Sequence, residues 1–257
     1  MLRLISLGSS FAAGPGLQPL TSKPALRSAA NYPSLLAALL SADEHIDVTY
    51  SGATLLNILN EPQNEAPPQI DAITPSSNPD GRTIVTITAG GNDLGYVGGV
   101  MRGSFESSWL GWAIVRLTFS RLAPAALDED GLTERFKEVV RAVRAKVPNA
   151  EVVLVGYLTL LGDDMHPGVN VALSAEQVKS GREKAEMLRR AYKRAAEEEG
   201  CEFVDVAEMS KGHGVGSVEP WVHGHTWGTL WGGEMGWHPN KKGMEVVARM
   251  VYDFLGR

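Results

Sequence analysis

Four short stretches carry the residue types that acyl transfer requires, and they lie far apart along the chain. "SLGSS" puts two adjacent serines, Ser9 and Ser10, just after the apolar run "MLRLI". "SGAT" holds Gly52, "GGND" holds Asn92 and Asp93, and "WHPN" holds His238. Attack on a carbonyl needs a hydroxyl beside a base that takes its proton, and the base must itself be oriented. It also needs donors aimed at the oxyanion that develops on the substrate. Ser10 offers the hydroxyl and His238 the base. The N–H of Ser10, the N–H of Gly52 and the side-chain amide of Asn92 are the candidate oxyanion donors. Each residue alone has a plainer use. A serine after a strand caps a helix, a glycine permits a positive-φ turn, and an Asn-Asp pair bonds local backbone, as expected of Asp93. A histidine before a helix simply packs. Joint placement of all four stretches at one edge of one sheet favours chemistry.

The elements that must position them follow from hydrophobic patterning. Strands are expected at 2–7, 46–50, 83–88, 151–156 and 202–205. Most are short and continuously apolar, the pattern of strands covered on both faces. Between them, 33–41 opens with Pro33 at a first-turn position. Residues 132–147 place Phe136, Val139, Val140 and Val143 at helical spacing and stop before Pro148. Residues 175–199 begin after Ser174 with Gln177 three on, a capping box, and end at Gly200. Residues 241–255 carry a stripe from Met244 to Leu255. Strand–helix alternation predicts a parallel sheet with helices on both faces. In such sheets ligands bind beyond the C-terminal ends of the strands. The loops after residues 7, 50, 88, 156 and 205 are therefore the ones to inspect, and three of them hold the stretches above. The Pro-rich stretch 60–80 reads as a surface connection, and no linker or repeat divides 1–257, so one domain is expected.

With "LGSS", "SGAT", "GGND" and "WHPN" in that order across residues 7–240, the chain resembles the SGNH, or GDSL-type, hydrolase family. The resemblance implies a three-layer α/β/α sandwich with a mainly parallel five-stranded sheet in flavodoxin-like order. It implies a serine esterase or lipase with Ser10 as nucleophile, Gly52 and Asn92 in the oxyanion hole and His238 as base. No metal or organic cofactor is implied. Two positions depart from the family pattern. Ser9 stands where the family usually has Asp, and Met235 stands where it usually has an Asp three residues before the histidine. A main-chain carbonyl near Met235 or Gly236 is the favoured acceptor for the His238 Nδ1–H, with the Glu234 carboxylate as the alternative. Without those two acids, a ligand-binding protein that has lost catalysis is a rival reading, and an acyltransferase is another.

Composition narrows the partners. The 257 residues are 44% hydrophobic and 21% charged with a net charge of -6, and the basic residues are scattered, which disfavours nucleic acid. A small-molecule ester is the expected partner. No apolar run approaches the ~18 residues of a membrane span. A single cysteine, Cys201, and an N-terminus that reads as a strand rather than a secretory leader make the cytoplasm the expected compartment, a trimmed secreted protein being the alternative. Trp109 and Trp112, in the apolar stretch 105–122, are candidate walls of the acyl pocket, as are Trp231 and Trp237 near the histidine. His213, His223 and His225 share a glycine-rich stretch but lack the companions of a metal site. Neither a phosphate loop nor a Gly-x-Ser-x-Gly elbow occurs.

Overall fold

Residues 1–75, 81–106, 126–167, 171–224 and 235–256 are described by the structure, a computed structural model. Five parallel strands form the sheet: β1 (Leu2–Gly8), β4 (Glu44–Asp47), β5 (Arg82–Thr88), β6 (Glu151–Val155) and β7 (Glu202–Val204). A two-stranded antiparallel ribbon, β2 (Leu20–Ser22) with β3 (Arg27–Ser28), stands apart from it. The order across the sheet is β4-β1-β5-β6-β7, which is the flavodoxin-like 2-1-3-4-5 in strand sequence. Strand order reverses between β1 and β5, and that is where a crevice opens in sheets of this type. In-register pairing from Leu2↔Arg82 to Gly8↔Thr88 brings both strand ends to one level. Leu4, Ile5, Leu7, Ile84, Val85 and Ile87 are fully buried, which accounts for their unbroken apolar runs.

Helix α2 (Tyr32–Leu40) packs with the C-terminal helix α8 (Lys241–Leu255) on one face. On the other, α5 (Glu129–Lys146) packs with α6 (Ala175–Glu199), flanked by α3 (Leu55–Leu59) and α4 (Tyr96–Glu106). The result is the expected three-layer sandwich. Local chemistry sets the helix ends. Asn31 caps α2 through Ser34 N (2.9 Å), Ser174 and Gln177 form the capping box of α6, and Gly200 ends it in the left-handed region. Asn240 caps α8 through Gly243 N at 2.8 Å.

Three expectations are corrected. The strand expected at 46–50 lies at Glu44–Asp47, because the Asp47 carboxylate takes the Thr49 N–H (3.0 Å) and hydroxyl (2.7 Å) and turns the chain. Helix α5 begins at Glu129, ahead of the expected 132, because Asp128 caps it through Gly131 N at 2.8 Å. The stretch 60–80 is more than a surface connection. It contains a 3-10 turn, Gln69–Ala72, and buries Gln69, Ile70 and Ile73. Of 105–122, residues from 107 onward lie outside the described residues, Trp109 and Trp112 among them. Among the described residues no helix is long and apolar enough to cross a membrane.

Candidate active site

The end of β1 is held from three sides. Gly8 N donates to Gln69 Oε1 (2.8 Å), Gln69 Nε2 donates back to Gly8 O (3.0 Å), and Tyr50 N also donates to Gly8 O (3.0 Å). Ser9 N donates to Thr88 O at 2.8 Å. The chain then turns into a short helix, α1 (Ser10–Ala13), with Ser10 at its first position and only 7% exposed. Ser9 occupies the cap position, yet its side chain caps nothing. It is fully buried, and its Oγ lies 2.7 Å from the Tyr157 hydroxyl.

His238 reaches Ser10 from the far end of the chain. Backbone bonds pair the stretch 221–223 with 237–240: Trp237 N to His223 O (2.8 Å), His223 N to His238 O (2.9 Å) and Asn240 N to Trp221 O (3.0 Å). Trp237 adopts φ 61 in this turn. The His238 Nε2 lies 2.9 Å from Ser10 Oγ, and Nδ1 lies 2.9 Å from Gly236 O. A carbonyl can only accept, so the ring proton sits on Nδ1, and Nε2 is left to accept the Ser10 hydroxyl. Of the expected acceptors, the Gly236 carbonyl is the one in place. Glu234 lies outside the described residues, and Met235 is half-buried. Burial pushes the His238 pKa down to about 4, against the Gly236 hydrogen bond, which raises it, so the imidazole is neutral at pH 7.

The loops after β4 and β5 are zipped together. Asn92 Nδ2 donates to Ala53 O at 2.8 Å, and both Asp93 oxygens accept from Leu55 N at 3.2 and 3.1 Å. Asp93 was expected to bond only local backbone. Besides its own N–H it reaches 38 positions back along the chain. Burial raises its pKa to about 6. A primary amide has two N–H bonds, so Asn92 keeps one to offer a ligand. Gly52 stands in the turn at φ 84, a conformation side-chain-bearing residues resist, with Ser51 O held by Gln63 Nε2 at 2.9 Å. Ser10, Gly52, Asn92 and His238 thus come from four separate loops at the C-terminal edge of one sheet.

Trp237, expected as a substrate wall, is 1% exposed, and its indole N–H donates to Ser104 Oγ of α4 at 2.9 Å. It packs beneath the histidine loop rather than lining an open face. Trp231 and His225 lie outside the described residues. His213 stacks on Trp221 with centroids 3.5 Å apart, and among the described residues no cluster could hold a metal ion. Sequence reasoning missed Gln69 and Tyr157. Tyr157 follows β6 in one of the loops marked for inspection, but nothing about a lone tyrosine distinguishes it. It borders a cavity of about 350 Å³ between the β6 loop and α6, lined also by Leu160, Leu188 and Tyr192. Neither Ser10 nor His238 lines that cavity.

Fold and site together define a class: ester hydrolases built on a flavodoxin-ordered sheet, with a serine and a histidine meeting at the switch point. Comparison with known proteins agrees. The model of the GDSL-like lipase/acylhydrolase family matches residues 6–246. Lipase 2 of Streptomyces coelicolor is 29% identical over 267 residues, covering 99% of this chain and 86% of the relative. A lipase of Streptomyces rimosus is 27% identical over 242 residues, covering 93% of this chain and 81% of the relative. Phospholipase A1 from Streptomyces albidoflavus NA297 shares the fold with a TM-score of 0.73 at 24% identity over 99% of both chains. The extracellular lipase of Streptomyces rimosus does so with a TM-score of 0.72 at 22% identity, covering 100% of this chain and 99% of that one. The chain belongs to the GDSL-like lipase/acylhydrolase family and, with it, to the enzymes that hydrolyse carboxylic esters.

Proposed function

We propose that the protein cleaves carboxylic esters through an acyl-enzyme on Ser10. The observation that carries this reading is the 2.9 Å contact between Ser10 Oγ and a His238 ring whose other nitrogen is held by Gly236 O. His238 Nε2 takes the Ser10 proton as Oγ bonds to the ester carbonyl carbon. The carbonyl oxygen becomes an oxyanion facing the N–H groups of Ser10 and Gly52 and the spare N–H of Asn92. The imidazolium formed is steadied by the Gly236 carbonyl and by the oxyanion itself. It then protonates the leaving alcohol as the C–O bond breaks. Water, deprotonated by the same nitrogen, attacks the acyl-enzyme, and Ser10 leaves with the proton returned. A neutral carbonyl stabilises an imidazolium less than a carboxylate does, so more of the barrier reduction falls on the oxyanion donors.

Lipid-type acyl esters are the substrate class supported by the lipase relatives, which align with nearly the whole chain. The test is a fluorophosphonate probe followed by peptide mapping, with a p-nitrophenyl ester series for acyl length. Label on Ser10, none on Ser10→Ala, and hydrolysis lost in that variant are the expected results. A folded sample that takes no label, or a Ser10→Ala variant that still turns over esters, would sink the reading.

A further inference from the structure

Tyr157 touches two of the four stretches that build the site and, through Phe11, reaches a third. Its hydroxyl lies 2.7 Å from Ser9 Oγ, next to the nucleophile. The same oxygen accepts a long 3.4 Å bond from Gly91 N, next to Asn92. Its ring stacks on Phe11 with centroids 4.1 Å apart and planes 16° from parallel, and Phe11 in turn lies 5.6 Å from the His238 ring. The fit to the Asn92 loop is close, since a Cβ on Gly91 would stand 2.7 Å from Tyr157 Cε2. Tyr157 also lines the cavity of about 350 Å³. Stacking on Phe11 and the close approach to Gly91 hold the ring, and the two hydroxyl contacts join the loops on either side of it. Burial pushes the phenol well up, so it stays protonated and neutral.

The geometry points to Tyr157 as a positioning residue for ester cleavage, its hydroxyl tying Ser9 to Gly91 and so fixing the nucleophile against the oxyanion donor on the neighbouring loop. This rests on the reading of Ser10 as nucleophile. The oxyanion donors come from loops after different strands, and transition-state stabilisation is lost when reacting groups drift by about 1 Å. Ser9 stands where the family usually has Asp. A hydroxyl there, small and fully buried, is what leaves the Tyr157 oxygen room to approach.

Tyr157→Phe removes the oxygen and keeps the ring. Expected is a kcat some 10- to 100-fold lower with KM within about threefold, an equal fall in the rate of fluorophosphonate labelling, and a melting temperature within a few degrees of the parent. Ser9→Ala should do the same, and the double variant should be no slower than the slower single, because both remove one link. If Tyr157→Phe does not fold, Ser9→Ala decides on the same kcat and KM criterion. The inference is overturned if both singles keep kcat within twofold, if KM rises in place of a kcat loss, or if the double variant's losses multiply. Ser10→Ala is the control that separates the two claims. Activity surviving in it removes the nucleophile assignment, whereas activity lost there but kept in Tyr157→Phe and Ser9→Ala removes only the role of Tyr157.

Discussion

The catalytic rim and the outer flank of the α5–α6 pair are held by opposite kinds of contact. On the rim the contacts are buried or half-buried and, apart from Asp93, neutral: Gln69 on Gly8, Asn92 on Ala53, Ser9 on Tyr157, and His238 between Ser10 and Gly236. On the flank they are ionic and exposed. Arg194 meets Asp130 and Glu198, Arg190 meets Glu129, and Arg141 meets Glu199. Water screens the flank, so its many charge pairs matter little. The groups of the rim are largely buried, so one left unsatisfied there would bear more of its desolvation cost. The contrast teaches that the rim orients its histidine through a hydrogen bond to a neutral, buried acceptor, the Gly236 carbonyl, where the flank relies on charge.

The comparison breaks first at Asn92. Asn92→Ala removes the bond to Ala53 and, on the proposed mechanism, an oxyanion donor, and kcat should fall about 10²- to 10³-fold, roughly 3–4 kcal/mol. Steady-state kinetics on a p-nitrophenyl ester checks this, with circular dichroism confirming the fold.

Buried titration on the rim should appear in stability. His238 is held neutral down to about pH 4, whereas an unfolded histidine protonates near 6.5, so this group makes stability fall as pH drops through 6.5 to 4. Asp93 acts in the opposite sense. It stays protonated up to about pH 6 but is ionised in the unfolded chain above 3.8, so its contribution falls as pH rises from 3.8 to 6. Between pH 4 and 6 the two cancel and the melting temperature should be nearly level. Asp93→Asn leaves only the histidine effect, and stability should then fall by about 3 kcal/mol from pH 6.5 to 4, at about 1.4 kcal/mol per unit of pKa displacement. Thermal melts across that range would show a level curve in the parent and a sloping one in the variant.

Activity should follow the same displacement. The acid limb of kcat/KM is expected near pH 4 rather than near 6.5. At pH 5 the enzyme should be about thirtyfold more active than a histidine of ordinary pKa would allow. A limb near 6.5 would mean that water reaches the ring.

A smaller effect is expected at Glu234. With the Gly236 carbonyl already on Nδ1, Glu234→Gln should keep kcat within about threefold, whereas a loss near 10⁴-fold, as when a triad carboxylate is neutralised, would assign the orienting role to the acid. The smallest is on the flank. Arg194→Ala should leave the melting midpoint at 0.15 M salt unchanged within error, since its charge is exposed and screened.

The sequence by itself determined the five strands of the main sheet, the helices α2, α5, α6 and α8, and their order. Caps, apolar periodicity and turn residues are local, and they place the strands and helices to within a few residues, as at α6, whose capping box and terminal Gly200 mark both ends. Three of the stretches were legible because strand ends in a parallel sheet share one edge, and the order of all four blocks, by its resemblance to a known family, let Ser10 and His238 be paired across 228 positions. Only the tertiary structure decided what surrounds them. Gln69 sits in a Pro-rich stretch that reads as surface, and a lone tyrosine after a strand carries no periodic or spacing signal, yet Gln69 clamps Gly8 and Tyr157 meets Ser9. The acceptor on His238 is a main-chain oxygen, and every residue has one. Which carbonyl faces the ring depends on the turn at Trp237 and its pairing with 221–223, contacts between distant segments that exist only once the chain has packed.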